Sequence, residues 1–441
     1  MRLGNRFYTL MVCLLLVSVF LAACGNSNNN ATPNSSQSNE TSPASSQTGQ
    51  KDPKKSVELI FWHHYSTASP EEKTLKEVLI PKFEASHPGV KVNAVSFPWD
   101  QLHQKLQIGA TAGELPDIAR LDIIWVPELQ ANGMLVALDE KFPDFGDVSQ
   151  GLLSGPLSTA VVGEHTYALP LNTNTKVMFW NETMFQAAGL SAAPATTEEF
   201  FAALPKLKES NPKGWGFGEP ALRGWNILPW LWSNGGDVLS PDNTTAEGYL
   251  NGEASVTIVK QLQDAFAKGL LTGFKPGETP VTEGHAKGTY AMMAEGPWAF
   301  AQFKEQFADF RPKAASFPAG KGGSVQVLGG EDIGVLSKEH PQESWEFVKF
   351  MVSEEAQVEM GKVGQIPVNL KAMDHPDIQA VGYFGPFLEQ LKTSKARPPV
   401  AAWPQIDDVL NDTFMRIFLQ NADVQGTLDD AAKQVNALLQ K

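Results

Sequence analysis

Cysteine is nearly missing from this chain: of 441 residues only Cys13 and Cys24 are cysteines. Both stand near the amino-terminal end, so no disulfide framework can brace the rest. Basic charge is also in short supply, with 35 Lys and Arg against 49 Asp and Glu and a formal net charge of −14. Such a chain is repelled by phosphate backbones and anionic lipid faces, which disfavours nucleic acid as a partner and any membrane association driven by charge. The motifs of the common enzyme classes are missing too. There is no G-x-S-x-G nucleophile turn, no G-x-x-x-x-G-K-[ST] phosphate loop and no H-E-x-x-H metal helix. Gly320-Lys321-Gly322-Gly323 has glycine but no dinucleotide fingerprint, and the eight histidines form no metal-spaced set. Neither a cofactor nor a metal is expected.

What is present supports a folded, secreted protein. Hydrophobic residues make up 42% and charged residues 19%, enough to bury a core. At the amino terminus, residues 1–23 read as a signal peptide. Arg2 and Arg6 supply the positive region, and the apolar run Leu10 to Phe20 is short of the roughly 20 residues a spanning helix needs. Residues 24–55 are mostly Asn, Ser, Gln and Thr after Cys24, and read as a disordered tether with a reach of about 30 Å.

From Val57 onward strands and helices alternate, which predicts an α/β fold whose parallel strands are wrapped by helices. Val57 to Phe61, Val90 to Val95 and Ile118 to Leu121 read as strands. Ser69-Pro70-Glu71-Glu72 reads as a helix start, and Pro81 should kink that helix. Ligands of such sheets lie beyond the carboxyl ends of the strands, where Trp62, His64 and Asp122 fall. A later strand passes into a polar run containing Asn172 and Asn174, and Gly329-Gly330-Glu331-Asp332 lies between two apolar runs.

Aromatic residues gather in the stretch Gly224 to Asp237, where Trp225, Trp230 and Trp232 stand with Asn226, Asn234 and Asp237. Trp298 follows in Glu295-Gly296-Pro297-Trp298. Flat indole faces suit the C–H faces of a pyranose, while amides and carboxylates supply donors and acceptors for its hydroxyls. Two readings fit: a carbohydrate receptor, or a secreted glycoside hydrolase using a carboxyl pair about 5–10 Å apart drawn from Asp122, Glu219 and Glu331.

Several stretches resemble the extracellular solute-binding proteins (family 1) of carbohydrate ABC importers, the class that includes maltose-binding and trehalose/maltose-binding proteins. They are Phe83 to Val92, Ala112 to Ile118, Tyr167 to Pro170, Ser233 to Gly236, Glu295 to Trp298 and Trp345 to Phe350. Leu21-Ala22-Ala23-Cys24-Gly25 likewise resembles the bacterial lipoprotein cleavage motif, in which the cysteine, Cys24 here, becomes lipidated, as with palmitate. The resemblance implies a two-lobe, type II periplasmic-binding-protein-like fold. Each lobe is a mostly parallel sheet flanked by helices, with residues 56–170 plus 325–355 in one and 171–324 plus 356–441 in the other, and the ligand between them. It implies a non-catalytic, membrane-tethered monomer that hands sugar to an ABC permease. Residue by residue, it puts Trp62 and His64 in a ligand loop, Asp122 at a hydroxyl-binding aspartate, and Asn174 at a position that is acidic in several relatives. Glu219 matches a sugar-binding Glu before Pro, Trp298 a stacking indole, Glu331 a residue after a cleft-facing Gly-Gly, Arg397 an Arg-Pro, and Trp403 a position near a cleft aromatic.

Overall fold

A computed structural model describes residues 56–67, 69–220, 223–273, 275, 277–336 and 339–440. The expected signal sequence and Cys24 lie outside the described residues.

Two five-stranded sheets organise the chain. The first runs in the order Val90–Ser96, Val57–His63, Ile118–Asp122, Gly329–Val335, Leu169–Asn174. Its first three strands are parallel, and the late strand Gly329–Val335 then inserts antiparallel to both neighbours, setting Glu331 opposite Asp122 on one side and Asn172 on the other. The second sheet runs Lys313–Ala315, Val177–Trp180, Tyr290–Glu295, Trp215–Gly218, Leu271–Thr272, again with two antiparallel and two parallel pairings. The sheets are therefore mixed rather than mostly parallel.

Local chemistry explains the element boundaries. Ser69 Oγ accepts from the Glu72 backbone N–H at 3.2 Å and Pro70 opens the helix. The strain expected at Pro81 is taken up by a π-helical turn over Leu75–Leu79 just before it, because proline leaves one carbonyl of the preceding turn without a donor. The Trp-rich stretch forms a helix, Gly224–Ser233, that ends just before Gly235-Gly236. Gly329 and Gly330, expected to form a connection, lie inside a strand with a register shift between Glu331 and Asp332.

Each sheet has its own apolar core. Leu59, Phe61, Phe83, Ile118, Ile333, Trp345 and Phe347 pack against the first, and Val177, Phe179, Met293, Phe303 and Phe387 against the second. Ala356, Met360 and Val368 join the first core, so its lobe extends past residue 355. The largest cluster draws Leu121 from the first sheet and Met178 from the second together with the long helix Trp403–Leu419. The chain crosses between the sheets at Thr175–Lys176. Thr175 Oγ1 lies 2.8 Å from the Val327 carbonyl and 2.9 Å from Ser394 Oγ, so this crossing is bound to the two-stranded ribbon formed by Gln326–Val327 and Ser394–Lys395.

Candidate functional site

At one edge of the first sheet the parallel strands end and the returning strand begins, which brings His64, Asp122, Asn174, Gly330 and Glu331 together. Facing them are Arg223 and Trp225 from the start of the Gly224–Ser233 helix, Trp298, Arg397 and Asp407. These residues enclose a cavity of about 190 Å³. A second chamber of about 340 Å³ shares His64, Asn174, Trp298 and Glu331 as a wall and adds Tyr65, Glu71, Arg120, Gln302 and Gln365. Together they have the size of a small-molecule site, which typically runs to about 300–1,000 Å³.

Glycine makes the aromatic wall possible. A side chain at Gly329 would collide with both Asn174 Oδ1 and the Trp225 ring, and one at Gly296 would collide with the Trp298 ring, which folds back over it. Trp225 lies under the Arg397 guanidinium at 5.0 Å and Trp99 under that of Arg223 at 5.4 Å, geometry that holds both rings and cations in place.

The cleft carboxylates are held by cations. Asp122 accepts from Arg397 Nη2 at 2.8 Å, from Trp99 Nε1 at 3.0 Å and from the Ile124 backbone N–H at 3.1 Å. Glu331 lies 2.9 Å from Arg120 Nη2 and 3.7 Å from His64 Nε2, and accepts from Asn172 Nδ2 at 2.6 Å. Burial alone would raise the Glu331 carboxyl, but Arg120, with His64 and Asn172, outweighs it and brings it down to about 2. Burial and the nearby Arg120 push His64 down, so the ring is neutral near pH 7. Burial pushes Asp407 up to about 6 against the pull of Arg397. Polar capacity is left over: His64, Asn172 Oδ1, Asn174 Oδ1, Arg397 Nε and Asp407 Oδ1 are buried with no hydrogen-bond partner. Buried polar atoms are rarely left that way, and a ligand rich in hydroxyls would satisfy them.

Of the residues singled out in sequence, His64, Asp122, Asn174, Trp298, Glu331 and Arg397 line this cleft. The others stand elsewhere. Trp62 packs edge-on against Phe97 at 5.3 Å, and Asn172 stands behind Glu331 as its donor. Trp230 is 1% exposed among Phe200, Phe217 and Phe317, a core position. Trp403 is fully buried in the same core, because the long helix it opens turns that face inward. Trp232 donates through Nε1 to Asp237 and lines a separate cavity with Lys395. Glu219 is 1% exposed behind the wall, and burial pushes its carboxyl up to about 8 despite Lys176 3.8 Å away. Sequence reasoning passed over Trp99, Arg120, Arg223, Trp225 and Asp407. Trp225 lay within the stretch it chose, and only the helical phase of that stretch could have separated it from Trp230.

Glycoside hydrolysis needs one carboxyl held protonated near the sugar. Glu331 is brought far below its usual range and Glu219, raised by burial, stands behind the wall, so of these three only Asp407, raised to about 6, is shifted in that direction within the cleft. Among the described residues no group of three or more His, Cys, Asp or Glu is placed to hold a metal ion. Nor, among them, is any helix long and apolar enough to cross a membrane.

Comparison with known proteins finds binding proteins. The family model for bacterial extracellular solute-binding proteins matches residues 67–358. A Brucella abortus protein described as a binding protein is 26% identical over 81% of this chain and 88% of its own length. The galactooligosaccharide-binding protein of Bacillus subtilis is 22% identical over 98% of this chain and 97% of its own. The sn-glycerol-3-phosphate-binding periplasmic protein of Pectobacterium atrosepticum is 26% identical over 88% and 92%. Among solved structures, the GacH receptor of Streptomyces glaucescens, studied unliganded and with acarbose, superposes with a TM-score of 0.78 at 23% identity, over 88% of this chain and 99% of its own.

Proposed function

The chain belongs to the bacterial extracellular solute-binding protein family, and from that premise we propose that it captures a neutral mono- or oligosaccharide in this cleft and delivers it, unchanged, to an ABC permease. The observation that carries the sugar reading is the charge of the lining. Asp122, Asp407, Glu331 and Glu71 stand against Arg120, Arg223 and Arg397, so no positive surplus awaits an anion, and a phosphate ester of the kind named for the Pectobacterium relative would meet more carboxyl than guanidinium. Half-buried Trp99, Trp225 and Trp298 offer ring faces, and the unpartnered amide and carboxyl oxygens accept from hydroxyls. Names among the relatives agree, since the Bacillus protein is a galactooligosaccharide binder and the GacH receptor was solved with acarbose.

His64, Asp122, Asn174, Trp298, Glu331 and Arg397 are the contacts we assign to the ligand, with Trp99 and Trp225 added. The two lobes, divided near the crossings at Thr175–Lys176 and Val327, hinge about those segments. In this reading the protein is a monomer, and lipid on Cys24 tethers it to the outer face of the cell membrane, with residues 25–55 as the leash. Intrinsic fluorescence titration with maltose, maltotriose, galactobiose and sn-glycerol-3-phosphate tests the sugar reading. Saturable binding of a sugar that is recovered intact supports it, and binding of the phosphate ester alone overturns it.

A further inference from the structure

Beneath the aromatic wall lies a buried lysine that no ligand contact uses. Lys176 is 3% exposed and stands where the chain crosses from one sheet to the other. Its ammonium donates to Asn226 Oδ1 at 2.6 Å and lies 3.8 Å from Glu219 Oε1 and 4.0 Å from Glu295 Oε1. These three partners come from three places at the carboxyl edge of the second sheet. Asn226 follows Trp225 in the first turn of its helix. Glu295 ends a strand just before Gly296-Pro297-Trp298, and its Oε2 accepts from the Gly296 backbone N–H at 3.0 Å. Glu219 follows the strand Trp215–Gly218.

A buried ionic cluster is a poor way to gain stability, because the desolvation of each charge offsets most of the attraction, and apolar side chains of similar volume often do as well or better. What the buried ammonium supplies, through its charge-assisted hydrogen bond to Asn226 and its attraction to Glu295 at 4.0 Å, is a fixed relation between segments. Here the segments joined are those that carry two cleft indoles, on the same short stretch that links the lobes.

We propose that Lys176 is a positioning residue for the ligand-binding wall: from the crossing between the sheets its ammonium sets the placement of Trp225 through Asn226 and of Trp298 through Glu295. The proposal rests on the cleft's being the solute site, but it concerns an arrangement that exists before any ligand arrives. It therefore has a ligand-free test. Asn174, two residues upstream on the same segment, shares with Trp225 the space above Gly329, so a displaced Lys176 would disturb the wall from both sides.

The full chain labelled with 5-fluorotryptophan gives a fluorine resonance for each indole, and Trp225→Phe and Trp298→Phe assign the two that matter. In Lys176→Met both lines should shift or broaden by more than their original width. The line of Trp345, stacked on Phe142 at 4.7 Å in the first sheet's core, should stay in place. Where maltose binds the wild type, its affinity for the variant should fall at least tenfold. If the single variant does not fold because Glu295 loses its cation and Asn226 its donor, Lys176→Met/Glu219→Gln/Glu295→Gln replaces the whole cluster with neutral side chains and is read in the same way. A folded variant whose Trp225 and Trp298 lines coincide with wild type overturns the proposal, as does an equal displacement of Trp345. Selective shifts in a protein that binds no sugar of the panel would overturn the sugar reading and leave the role of Lys176 standing.

Discussion

Arg120 Nη2 stands 2.9 Å from Glu331 Oε2 across two antiparallel strands, while its guanidinium lies over the Tyr65 ring at 4.1 Å. The pair is buried, and breaking a buried pair leaves the surviving charge without compensation, at a cost of about 3–5 kcal/mol. Arg120→Met should therefore lower the melting temperature of the unliganded protein substantially at pH 7. In the wild type the Glu331 carboxyl is depressed to about 2, so its stabilising contribution is present above the ordinary glutamate range and is lost only as pH falls through about 2. Without Arg120, burial dominates and the carboxyl rises, so the penalty of the variant should shrink as pH falls from 8 to 5. A penalty that does not change with pH would mean that Arg120 acts through packing on Tyr65 instead.

Glu219 predicts the opposite slope. Burial raises its carboxyl to about 8 from the ordinary glutamate value of 4.5, so between those values the folded state holds a proton that the unfolded state has released. Stability from this group is complete below the unfolded value and is lost as pH climbs through the folded one. Glu219→Gln cannot ionise, so its melting temperature relative to wild type should rise from pH 5 to pH 9. A difference that stays flat over that range would show Glu219 ionised throughout, held by Lys176.

The first sheet was legible because Leu59 and Phe61 alternate and Ile118 to Leu121 is a short run rich in apolar residues, both marks of strands, and strand ends in an α/β sheet locate ligands. That reasoning reached His64 and Asp122. It could not distinguish Trp225 from Trp230, because clustering in sequence carries no helical phase, and five positions along a helix turn a side chain from the cleft wall into the core. Nor could it find Arg120 or Asp407, whose roles depend on pairings with Glu331, 211 positions away, and on the approach of the Trp403–Leu419 helix to Gly224. Glu219 had the right neighbours in sequence and the wrong depth, and depth is set by tertiary packing that neighbours in sequence do not reveal.

Ligand should draw the lobes together about the crossing segments. The two-lobe resemblance implies a hinge near Pro170 to Asn172 and near Ser324 to Val327; Thr175, Val327 and Ser394 are tied at one point, within the second of these and just after the first. Small-angle scattering should give a smaller radius of gyration with a saturating sugar. Superimposable curves with a sugar proven to bind would exclude closure.

Cys24 is the expected anchor, since it follows Leu21-Ala22-Ala23 and precedes a polar run. Each buried methylene contributes about 0.8 kcal/mol and lasting attachment takes more than one acyl chain, so a multiply acylated cysteine suffices without a spanning helix. Cys24→Ala should release folded protein into the medium when the chain is expressed in its bacterial setting. Retention of that variant in washed membranes would show a different means of attachment.

Two tryptophans with opposite expectations give the sharpest test of the site. Trp298 is half-buried, folded over Gly296 and shared by both chambers of the cleft. If its ring faces a pyranose, Trp298→Ala removes stacking worth about 0.5–1.5 kcal/mol beyond area burial. The apolar contact area lost, at roughly 25 cal/mol per Å², brings the total to about 2–4 kcal/mol. Every 1.4 kcal/mol is about a factor of ten, so affinity should weaken roughly thirty-fold to several-hundred-fold while the melting temperature of the unliganded protein scarcely moves. Trp230 is enclosed by Phe200 at 4.6 Å, Phe317 at 4.6 Å and Phe217 at 5.9 Å, and nothing could refill that space if it were truncated. Trp230→Ala should cost about 3–5 kcal/mol of folding stability and leave the affinity of the protein that still folds within about threefold, since a few tenths of a kcal/mol is all that a distant packing defect passes to the cleft. The reverse pattern, with Trp298 governing stability and Trp230 governing affinity, would place the sugar somewhere other than between these sheets.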